Sequence, residues 1–474
     1  MNNDREVLMT DRRMIRLVFL CAVLAATARA APVPEPVLAA REFLPLAEPA
    51  LPRYRFEVGQ ELLYRTLGTL AGDSVIGTRD RASRYTVINE DPDGTCRLLI
   101  HVTDAEQRLD APHNPPARTW LAYADVTPDG QYELNRTIKL VDRAAFITPL
   151  PAETAAAWTK PDPRGMEDMA FTVAGVDPLD HHLLAIRQAG SGLRERVYGS
   201  EYAATILFDT ALGLITHKEL VVREGDYVPG RWVTMTELDS VRYLEEEELD
   251  SVARDAGIWF DAWAAWDSLT DIAEDEPDRA DALWDAADST LARAVRALTR
   301  PEFVANAESE LARWRRVRDY YATAEKERPD LAGKPAPNWE LLDLDGNTHR
   351  LADYRGRVVV LDFWYRLCGW CIQALLELER LQERYRGRPV AVLGVNVDED
   401  PAEPRQVARA LGLDFPTLLS QATEQDYGVT GFPTTFIIGP DGVVAEVHRG
   451  LRPEMVERLA ATIDRLLEAG GEER

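Results

Sequence analysis

The sequence predicts a multidomain protein: an all-β N-terminal region, either an antiparallel sandwich or an open barrel, then a helical connector and a C-terminal α/β domain. Three observations support this. The length of 474 residues suggests about three domains. Short segments separated by turn residues fill 51–244, whereas 245–330 has helical periodicity. From residue 331 to residue 474, apolar runs alternate with helical segments, which is typical of an α/β domain.

The first 30 residues have the pattern of a secretory signal peptide. Arg12, Arg13 and Arg16 precede the apolar stretch Leu17 to Ala28, and Ala28-Arg29-Ala30 offers a cleavage site. The apolar stretch is shorter than the roughly 20 residues that a membrane-spanning helix needs. We therefore expect a soluble protein in the periplasm or another extracytoplasmic compartment, or an anchored one if the signal is retained.

Residues 31–50 are rich in proline and alanine and are predicted to form a linker. The β-rich region follows. Tyr54 to Val58 and Arg84 to Ile88 alternate between apolar and polar residues, as half-buried strands do. No family resemblance is apparent for 51–244. No pair of nucleophile and base stands out in this region, so an interaction module is favoured over a second enzyme.

The connector at 245–330 is predicted to contain three helices. Trp259, Trp263 and Trp266 are spaced at i, i+4 and i+7, so they share one helix face. Such a stripe is more often part of a core than of a ligand-binding box. Pro277 and Pro301 follow polar residues and stand where helices can begin.

The composition excludes several classes of partner and scaffold. With 54 basic and 80 acidic residues, the net charge of −26 argues against binding to nucleic acid or to an anionic membrane surface. Four cysteines are too few for a disulfide scaffold. We expect Cys96 to be a small buried residue in a strand. His181 and His182 are predicted to lie in a surface loop, since neighbours in a strand point to opposite faces.

The motif Cys368-Gly369-Trp370-Cys371 carries the chemistry. It follows the apolar run Val358 to Trp364 and opens a helical pattern from Ile372 to about Arg386, the context in which such a pair is typically redox-active. The unpaired N–H groups and the dipole at a helix start stabilise a thiolate and lower the pKa of a cysteine. The first cysteine can then attack a disulfide, and the second can resolve the mixed disulfide.

Two other interpretations of the motif stay open. Half of a zinc site would need a second pair of Cys or His residues. Only Cys21 and Cys96 remain, and the nearest histidine in sequence is His349. A purely structural disulfide is the other interpretation, although so short a loop adds little stability through chain entropy.

Several ordered segments surround the motif. They are Gly333 to Trp339, Leu344-Asp345-Gly346, Val359 to Trp364, Val392 to Asp398 and Gly431 to Ile438. Together they resemble the extracytoplasmic thioredoxin-like domains of the TlpA/ResA branch of thiol–disulfide oxidoreductases, over roughly residues 331–470. The resemblance implies a thioredoxin-like fold and thiol–disulfide exchange. It implies no cofactor, because the cysteine pair itself carries the electrons.

The resemblance also implies roles for individual residues. Cys368 would be the exposed nucleophile, Cys371 the resolving thiol and Pro433 the cis-proline beside the disulfide. Asp362, six residues before Cys368, stands where cytoplasmic thioredoxins carry a buried aspartate. Burial would raise its pKa and allow it to shuttle the proton of the resolving thiol.

The candidate substrate-binding residues are Gly369, Trp370, Phe432 and Thr434, with the Phe432 backbone available to pair with a substrate peptide. The chain departs from the family in three ways. Leu367 stands where tryptophan is usual, Trp370 stands where proline is common, and the helix lacks the family's usual proline. The first two leave the direction of electron transfer open.

The sequence therefore predicts an exported enzyme that exchanges electrons with disulfides or dithiols of envelope proteins. Its candidate partners are protein thiols or disulfides and a membrane electron donor, with no nucleic acid and no bulk membrane binding after signal cleavage. The alternative is an envelope binding or scaffold protein whose thioredoxin-like domain is not used in catalysis.

Overall fold

A computed structural model describes residues 36–46, 51–71, 75–108, 114, 116–134, 147–161, 167–192, 197, 201–224, 230–275, 279–327, 331–452 and 455–472. The predicted signal peptide lies outside these residues. The chain forms two compact units, residues 1–318 and 319–474. None of the helices within the described ranges combines the length and the hydropathy needed to cross a membrane.

The first unit is built on one antiparallel sheet of 11 strands. The strands are β1 Gln60–Ala71, β2 Val75–Glu90, β3 Cys96–Arg108, β4 Arg118–Val126, β5 Tyr132–Leu134, β6 Ala157–Pro161, β7 Glu167–Val176, β8 Leu183–Gly192, β9 Glu201–Asp209, β10 Leu214–Glu224 and β11 Gly230–Tyr243. Their order is β5-β4-β3-β2-β1-β11-β10-β9-β8-β7-β6. Each strand thus pairs with a sequence neighbour, except that β1 also pairs with β11.

The sheet encloses its own core. Alternation along β3 turns Leu98 and Ile100 to one face and Leu99 to the other. The inward residues of β1–β4 and of β7–β10 belong to one apolar cluster, so the two halves of the sheet face each other. This confirms the all-β antiparallel prediction. A single sheet folded around one core corresponds to the open barrel rather than to a sandwich of two sheets.

The segment Tyr54 to Val58 is not a strand, contrary to its alternating pattern. Its backbone N–H groups reach separate parts of the chain: Tyr54 donates to Pro128 O at 2.9 Å and Arg55 to Gly213 O at 3.1 Å. The Tyr54 ring is buried in the barrel core. Tyr54 and Phe56 thus pack against the core without pairing in the ladder, whereas Val58 is 44% exposed.

Three helices cover part of the outer face of the sheet. They are α1 Glu246–Asp275, α2 Ala280–Ala297 and α3 Pro301–Glu327. Leu99 and Leu121 of the sheet share a cluster with helical residues, and the rings of Tyr123 and Phe260 are 4.5 Å apart. The helical region therefore packs on the β region within one unit, and Pro301 begins α3 as predicted, whereas Pro277 lies outside the described residues.

The tryptophan stripe of α1 is part of this core, as predicted. Trp259 and Trp263 are buried, and consecutive rings meet edge to face, at 5.7 Å for Trp259–Trp263 and 4.5 Å for Trp263–Trp266. Trp314 of α3 extends the row at 5.1 Å from Trp266. Edge-to-face aromatic pairs add about 0.5–1.5 kcal/mol each beyond the area they bury, so the row helps to hold α3 on α1.

Residues 36–46 fall within the predicted linker, yet they are ordered against the sheet. Leu38 is buried beside the outward residues of β8–β11. The Glu219 carboxylate accepts hydrogen bonds from the backbone N–H groups of Val37, at 2.6 Å, and Ala39, at 2.8 Å. Leu44 forms an isolated bridge with Val176. The proline-rich composition therefore does not make this stretch a free chain.

The second unit contains an α/β sheet. Its elements are the hairpin β12 Glu340–Leu342 and β13 Thr348–Arg350, a 3-10 helix Leu351–Tyr354, β14 Val358–Trp364, α4 Gly369–Arg384, β15 Val390–Asn396, α5 Ala402–Leu411, β16 Thr417–Leu419, α6 Thr423–Asp426, β17 Thr434–Ile438, β18 Val444–Arg449 and α7 Met455–Glu472. The strand order is β16-β15-β14-β17-β18. Strands β14, β15 and β16 are parallel to one another, whereas β17 pairs antiparallel with both β14 and β18.

Strand β14 lies in the middle of this sheet and is buried along its whole length. Leu361 and Phe363 point to the face that carries a cluster with Trp339 and Tyr427. The described members of that cluster include no residue of α4 or α7, although both helices contact the strands. Asp362 alternates with Leu361 and Phe363, so it points to the face that α4 and α7 cover.

Candidate active site

The end of β14 delivers the chain directly to the cysteine motif. Residues 365–367 turn after Trp364, and helix α4 begins at Gly369. Cys368 is the N-cap of that helix, and its Sγ accepts a hydrogen bond from the backbone N–H of Cys371 at 3.1 Å. The helix thus starts three residues before Ile372, the predicted first residue, because the first cysteine of the motif itself caps it.

The two cysteines are joined by a disulfide. The S–S distance is 2.06 Å and the Cα–Cα distance is 5.1 Å. Cys368 is buried rather than exposed as expected, with 6% of its surface accessible, and Cys371 has none. A sulfur at the helix N-cap that already accepts a backbone N–H is placed to be stabilised as a thiolate after reduction. The asymmetry in exposure and in capping makes Cys368 the sulfur better placed to meet a partner.

Exposed apolar residues flank the first cysteine. Leu367 is 58% exposed and Trp370 is 43% exposed. Gly369, between the cysteines, has no heavy atom within 4 Å of the position that a Cβ would occupy. The surface that Leu367, Gly369 and Trp370 form beside the disulfide is therefore apolar and accessible.

The loop before β17 lies beside the loop before the cysteines. The Phe432–Pro433 peptide bond is cis, in agreement with the resemblance. The Thr434 hydroxyl donates to Gly431 O at 2.8 Å within this loop. The rings of Phe432 and Tyr365 are 5.3 Å apart and nearly perpendicular, so the two loops are in contact.

Asp362 is completely buried in the sheet beneath this surface. Desolvation raises the pKa of its carboxyl to about 7, and one hydrogen bond from the Thr435 hydroxyl acts in the opposite direction. In the described part of the chain, the Asp362 Oδ2 atom has no hydrogen-bond partner. An acid with a pKa near neutrality can both take and release a proton under ordinary conditions.

A polar network that the sequence analysis missed holds the loop before Cys368. Asp398 Oδ2 accepts the backbone N–H of Arg366 at 2.8 Å and the Asn396 side-chain amide at 2.8 Å. The amide of Asn396 also reaches Trp364 O at 3.4 Å. Asn396 and Asp398 end a buried parallel strand, a position where polar residues often serve a site, so the signal was present in the sequence.

The remaining candidate residues belong to the first unit. Cys96 is buried in the barrel, as predicted, and burial raises the pKa of its thiol to about 11. His181 and His182 are exposed in the turn before β8, also as predicted. No group of three or more His, Cys, Asp or Glu side chains in the described ranges is arranged to hold a metal ion.

Comparisons with known proteins agree with this geometry. A family model described as Redoxin matches residues 331–463. The thiol–disulfide oxidoreductase ResA of Geobacillus thermodenitrificans (strain NG80-2) is 36% identical over 133 residues, which are 27% of this chain and 76% of that protein. The chain belongs to the redoxin family. Its redoxin domain is a thioredoxin-like thiol–disulfide oxidoreductase, and such enzymes act on protein thiols or disulfides.

Two further matches also cover less than a third of this redoxin chain. The thioredoxin-like protein YneN of Bacillus subtilis (strain 168) is 33% identical over 146 residues, which are 30% of this chain and 85% of that protein. A solved thiol:disulfide interchange protein of the thioredoxin family from Chlorobium tepidum TLS is 20% identical, with a TM-score of 0.27, and the match covers 29% of this chain and 99% of that one.

Proposed function

We propose that this redoxin is an exported oxidoreductase whose Cys368–Cys371 pair exchanges electrons with disulfides or dithiols of envelope proteins. The observation that carries the proposal is the disulfide at the start of α4, with Cys368 as N-cap and Cys371 fully buried. A motif at a helix start supplies the electrostatic stabilisation that a nucleophilic thiolate needs.

The exchange takes place in two displacements. The Cys368 thiolate attacks one sulfur of a partner disulfide, so that a mixed disulfide forms and the other partner sulfur leaves as a thiolate. Cys371, once deprotonated, attacks Cys368 Sγ. The Cys368–Cys371 bond forms, the bond to the partner breaks, and the second partner sulfur leaves and takes up a proton. The pair loses two electrons and the partner disulfide gains them; the reverse sequence oxidises a dithiol.

In this proposal Asp362 accepts the proton of Cys371 and returns it in the reverse direction. Its support is the complete burial of the carboxyl and a pKa of about 7, which populates both protonation states near neutrality. Asp362 also points to the sheet face on which α4 and α7 pack, and Cys371 lies in the first turn of α4. In the described residues, the oxidised enzyme has no hydrogen bond from Asp362 to either sulfur, so the transfer belongs to the reduced or mixed-disulfide state.

Substrate binding is assigned to the surface around Cys368. Gly369 and Trp370 would contact the partner on one side, and Phe432 with Pro433 on the other, where an extended partner peptide could pair with the Phe432 backbone. Thr434 would support this loop, since its hydroxyl is bonded to Gly431 O. The contact between Tyr365 and Phe432 keeps the two sides together.

Export and the reducing partner are further parts of the proposal. Residues 1–30 have the pattern of a signal peptide, with basic residues, a short apolar stretch and a small-residue cleavage site. This pattern supports export. If the pair acts as a reductase, it must be reduced again after each turnover, and a membrane electron donor would then supply the electrons. The strongly acidic chain makes nucleic acid an unsuitable partner.

The remaining two-thirds of the chain are assigned to partner recognition. In this proposal the functional parts of the chain are a β-rich region at 51–244, a helical region at 245–330 and the redoxin domain at 331–474. The support is that no set of nucleophile and base stands out in the sequence of either preceding region, whereas the redoxin domain carries the cysteine pair that thiol exchange requires.

Insulin reduction in dithiothreitol tests the proposed function. The full chain should accelerate insulin precipitation, and Cys368→Ser should remove the acceleration. Cys96→Ala is the matched control, because it removes a buried free cysteine of the first unit and should leave the rate unchanged. Equal rates for the wild type and Cys368→Ser would favour the binding or scaffold alternative.

A further inference from the structure

The register of two adjacent strands brings a second side chain to the buried acid. In the antiparallel pair β14–β17, Asp362 is directly opposite Thr435. Directly opposite residues of an antiparallel pair have their side chains on the same face, with Cβ atoms about 5 Å apart. The Thr435 hydroxyl donates to Asp362 Oδ1 at 2.6 Å, and both residues are buried.

The contact is selective for one oxygen of the carboxyl. Oδ1 receives the Thr435 hydroxyl, whereas Oδ2 is buried and has no hydrogen-bond partner in the described ranges. A carboxyl that accepts a hydrogen bond at one oxygen keeps its negative charge there and takes a proton more readily at the other. The hydroxyl also restrains rotation of the carboxyl about its terminal bond, which is otherwise soft.

The neighbouring threonine has a different contact. Thr434 donates its hydroxyl to Gly431 O, inside the cis-proline loop. Because successive side chains of a strand point to opposite faces, Thr435 shares the face of Asp362, whereas Thr434 points to the other face. The two threonines therefore serve two parts of the same site, the loop that meets the partner and the acid beneath it.

We propose that Thr435 is a positioning residue for proton transfer: its hydroxyl orients the Asp362 carboxyl so that Oδ2 exchanges the proton of Cys371. The inference rests on the proposed function of Asp362. In the resolving step the proton leaves Cys371 Sγ for Oδ2, and the electron pair left on the sulfur forms the new bond to Cys368 Sγ. Thr435 itself neither gains nor loses a proton.

The hydroxyl has a second consequence for the acid. A hydrogen bond to the charged form of a carboxyl favours that form, so Thr435 opposes the effect of burial and keeps the pKa of Asp362 from rising further. Without the hydroxyl, a smaller fraction of Asp362 would be ionised near neutral pH, and the resolving step would slow there.

Single-turnover reduction of insulin by the reduced full chain tests the inference from about pH 6 to about pH 9. Thr435→Val keeps the shape of the side chain and removes the hydroxyl, whereas Thr435→Ser keeps the hydroxyl. We expect the Val variant to be several-fold slower near neutral pH, with the inflection moved up by about one pH unit and the rate recovered at alkaline pH. The Ser variant should retain the wild-type inflection.

Asp362→Asn separates this inference from the proposed function. If it removes the inflection and Thr435→Val does not move it, Thr435 has no positioning role although Asp362 still acts. If Asp362→Asn leaves the inflection in place, the role of Asp362 itself is wrong. In the Asp362→Asn background, adding Thr435→Val should leave the pH profile unchanged, and a further change would mean that Thr435 acts through packing alone.

Infrared titration of the oxidised full chain gives a readout that does not depend on activity. The protonated carboxyl stretch that disappears in Asp362→Asn identifies the band of Asp362. In Thr435→Val this band should persist to higher pH than in the wild type, and an unchanged midpoint would overturn the inference. Thr435→Ala replaces the Val variant in both experiments if the latter does not fold, with the same shift expected.

Discussion

Arg366 donates its backbone N–H to the Asp398 carboxylate at 2.8 Å, which ties the loop before Cys368 to the end of β15. The same carboxylate oxygen accepts a hydrogen bond from the side-chain amide of Asn396, so the end of β15 and the loop before Cys368 share one acceptor. Hydrogen bonds to a charged group are worth about 1.5–3 kcal/mol, enough to select one conformation of a short loop.

Removing this acceptor should loosen the loop. Asp398→Ala leaves the Arg366 N–H and the Asn396 amide without their charged partner, and we expect several-fold slower insulin reduction together with faster alkylation of reduced Cys371. Glu399→Ala is the matched control, because it removes the same charge from the neighbouring exposed position. Equal behaviour of the two variants would contradict a positioning role for Asp398.

The two thiols should differ in reactivity after reduction. Cys371 is fully buried, whereas Cys368 is partly accessible and caps α4, so iodoacetamide should modify Cys368 first as the pH is raised. Mass spectrometry of the partially alkylated chain measures the order. Preferential labelling of Cys371 would reverse the assigned roles.

Asp362 should make stability fall with rising pH. Its pKa is about 7 in the fold against about 3.9 in an unfolded chain, so the folded state binds more protons between these values. The contribution of Asp362 to the stability of the redoxin domain is therefore greatest at or below about pH 4 and is lost as the pH rises through 7. The decrease is bounded by roughly 4 kcal/mol, since each pKa unit is 1.36 kcal/mol.

Asp362→Asn should remove this dependence. The amide cannot ionise, but its N–H2 group would be buried where Oδ2 has no partner, which costs about 1–3 kcal/mol. We expect a net gain of about 1–3 kcal/mol at pH 8 and no gain near pH 4. Urea unfolding of the oxidised wild type and variant at both pH values measures this gain in stability. An equal change in the free energy of unfolding at the two pH values would exclude the ionisation of Asp362 as its cause.

The exposed apolar pair should matter for proteins and not for small disulfides. Trp370→Ala and Leu367→Ser should lower kcat/KM for insulin several-fold and leave reduction of a small aromatic disulfide nearly unchanged, because only a protein partner covers this surface. Leu342→Ser is the control: Leu342 is also 43% exposed but lies in the β12–β13 hairpin. A comparable loss in that variant would point to solubility.

The N-terminal regions should select partners without taking part in the chemistry. A fragment of residues 331–474 should retain generic insulin reductase activity, and its Cys371→Ser variant should trap a different set of envelope proteins than the full chain carrying the same substitution. Identical sets would remove the recognition role. A folded but inactive fragment would mean that the preceding regions complete the active site.

The sequence predicts the redoxin domain well for physical reasons. Buried parallel strands are continuous apolar runs, so β14 and β15 can be located from Val358 to Trp364 and from Val392 onwards, and the cysteine pair marks the helix start. Cys368 and Cys371 could be found because both lie in one short motif. Pro433 and Asp362 needed the resemblance, which supplied their context.

Other features depend on contacts that no local pattern records. The pairing of Asp362 with Thr435 follows from the register of β14 and β17, and these residues are 73 positions apart. Tyr54 to Val58 has the alternation of a strand, but its burial comes from the barrel core. Leu38, in a stretch read as linker, is buried because Glu219 receives the backbone N–H groups on either side of it.

The strand order of the first unit has a consequence for how it folds. Strands β1–β5 form one meander and β6–β11 another, and each can assemble through pairings between sequence neighbours. In the described sheet only β1 with β11 joins segments far apart in the chain, with Gln60 opposite Tyr243. The entropy of closing so long a loop is lost in that single pairing. The two meanders should therefore form early, and the pairing of β1 with β11 should limit the folding rate of the whole sheet.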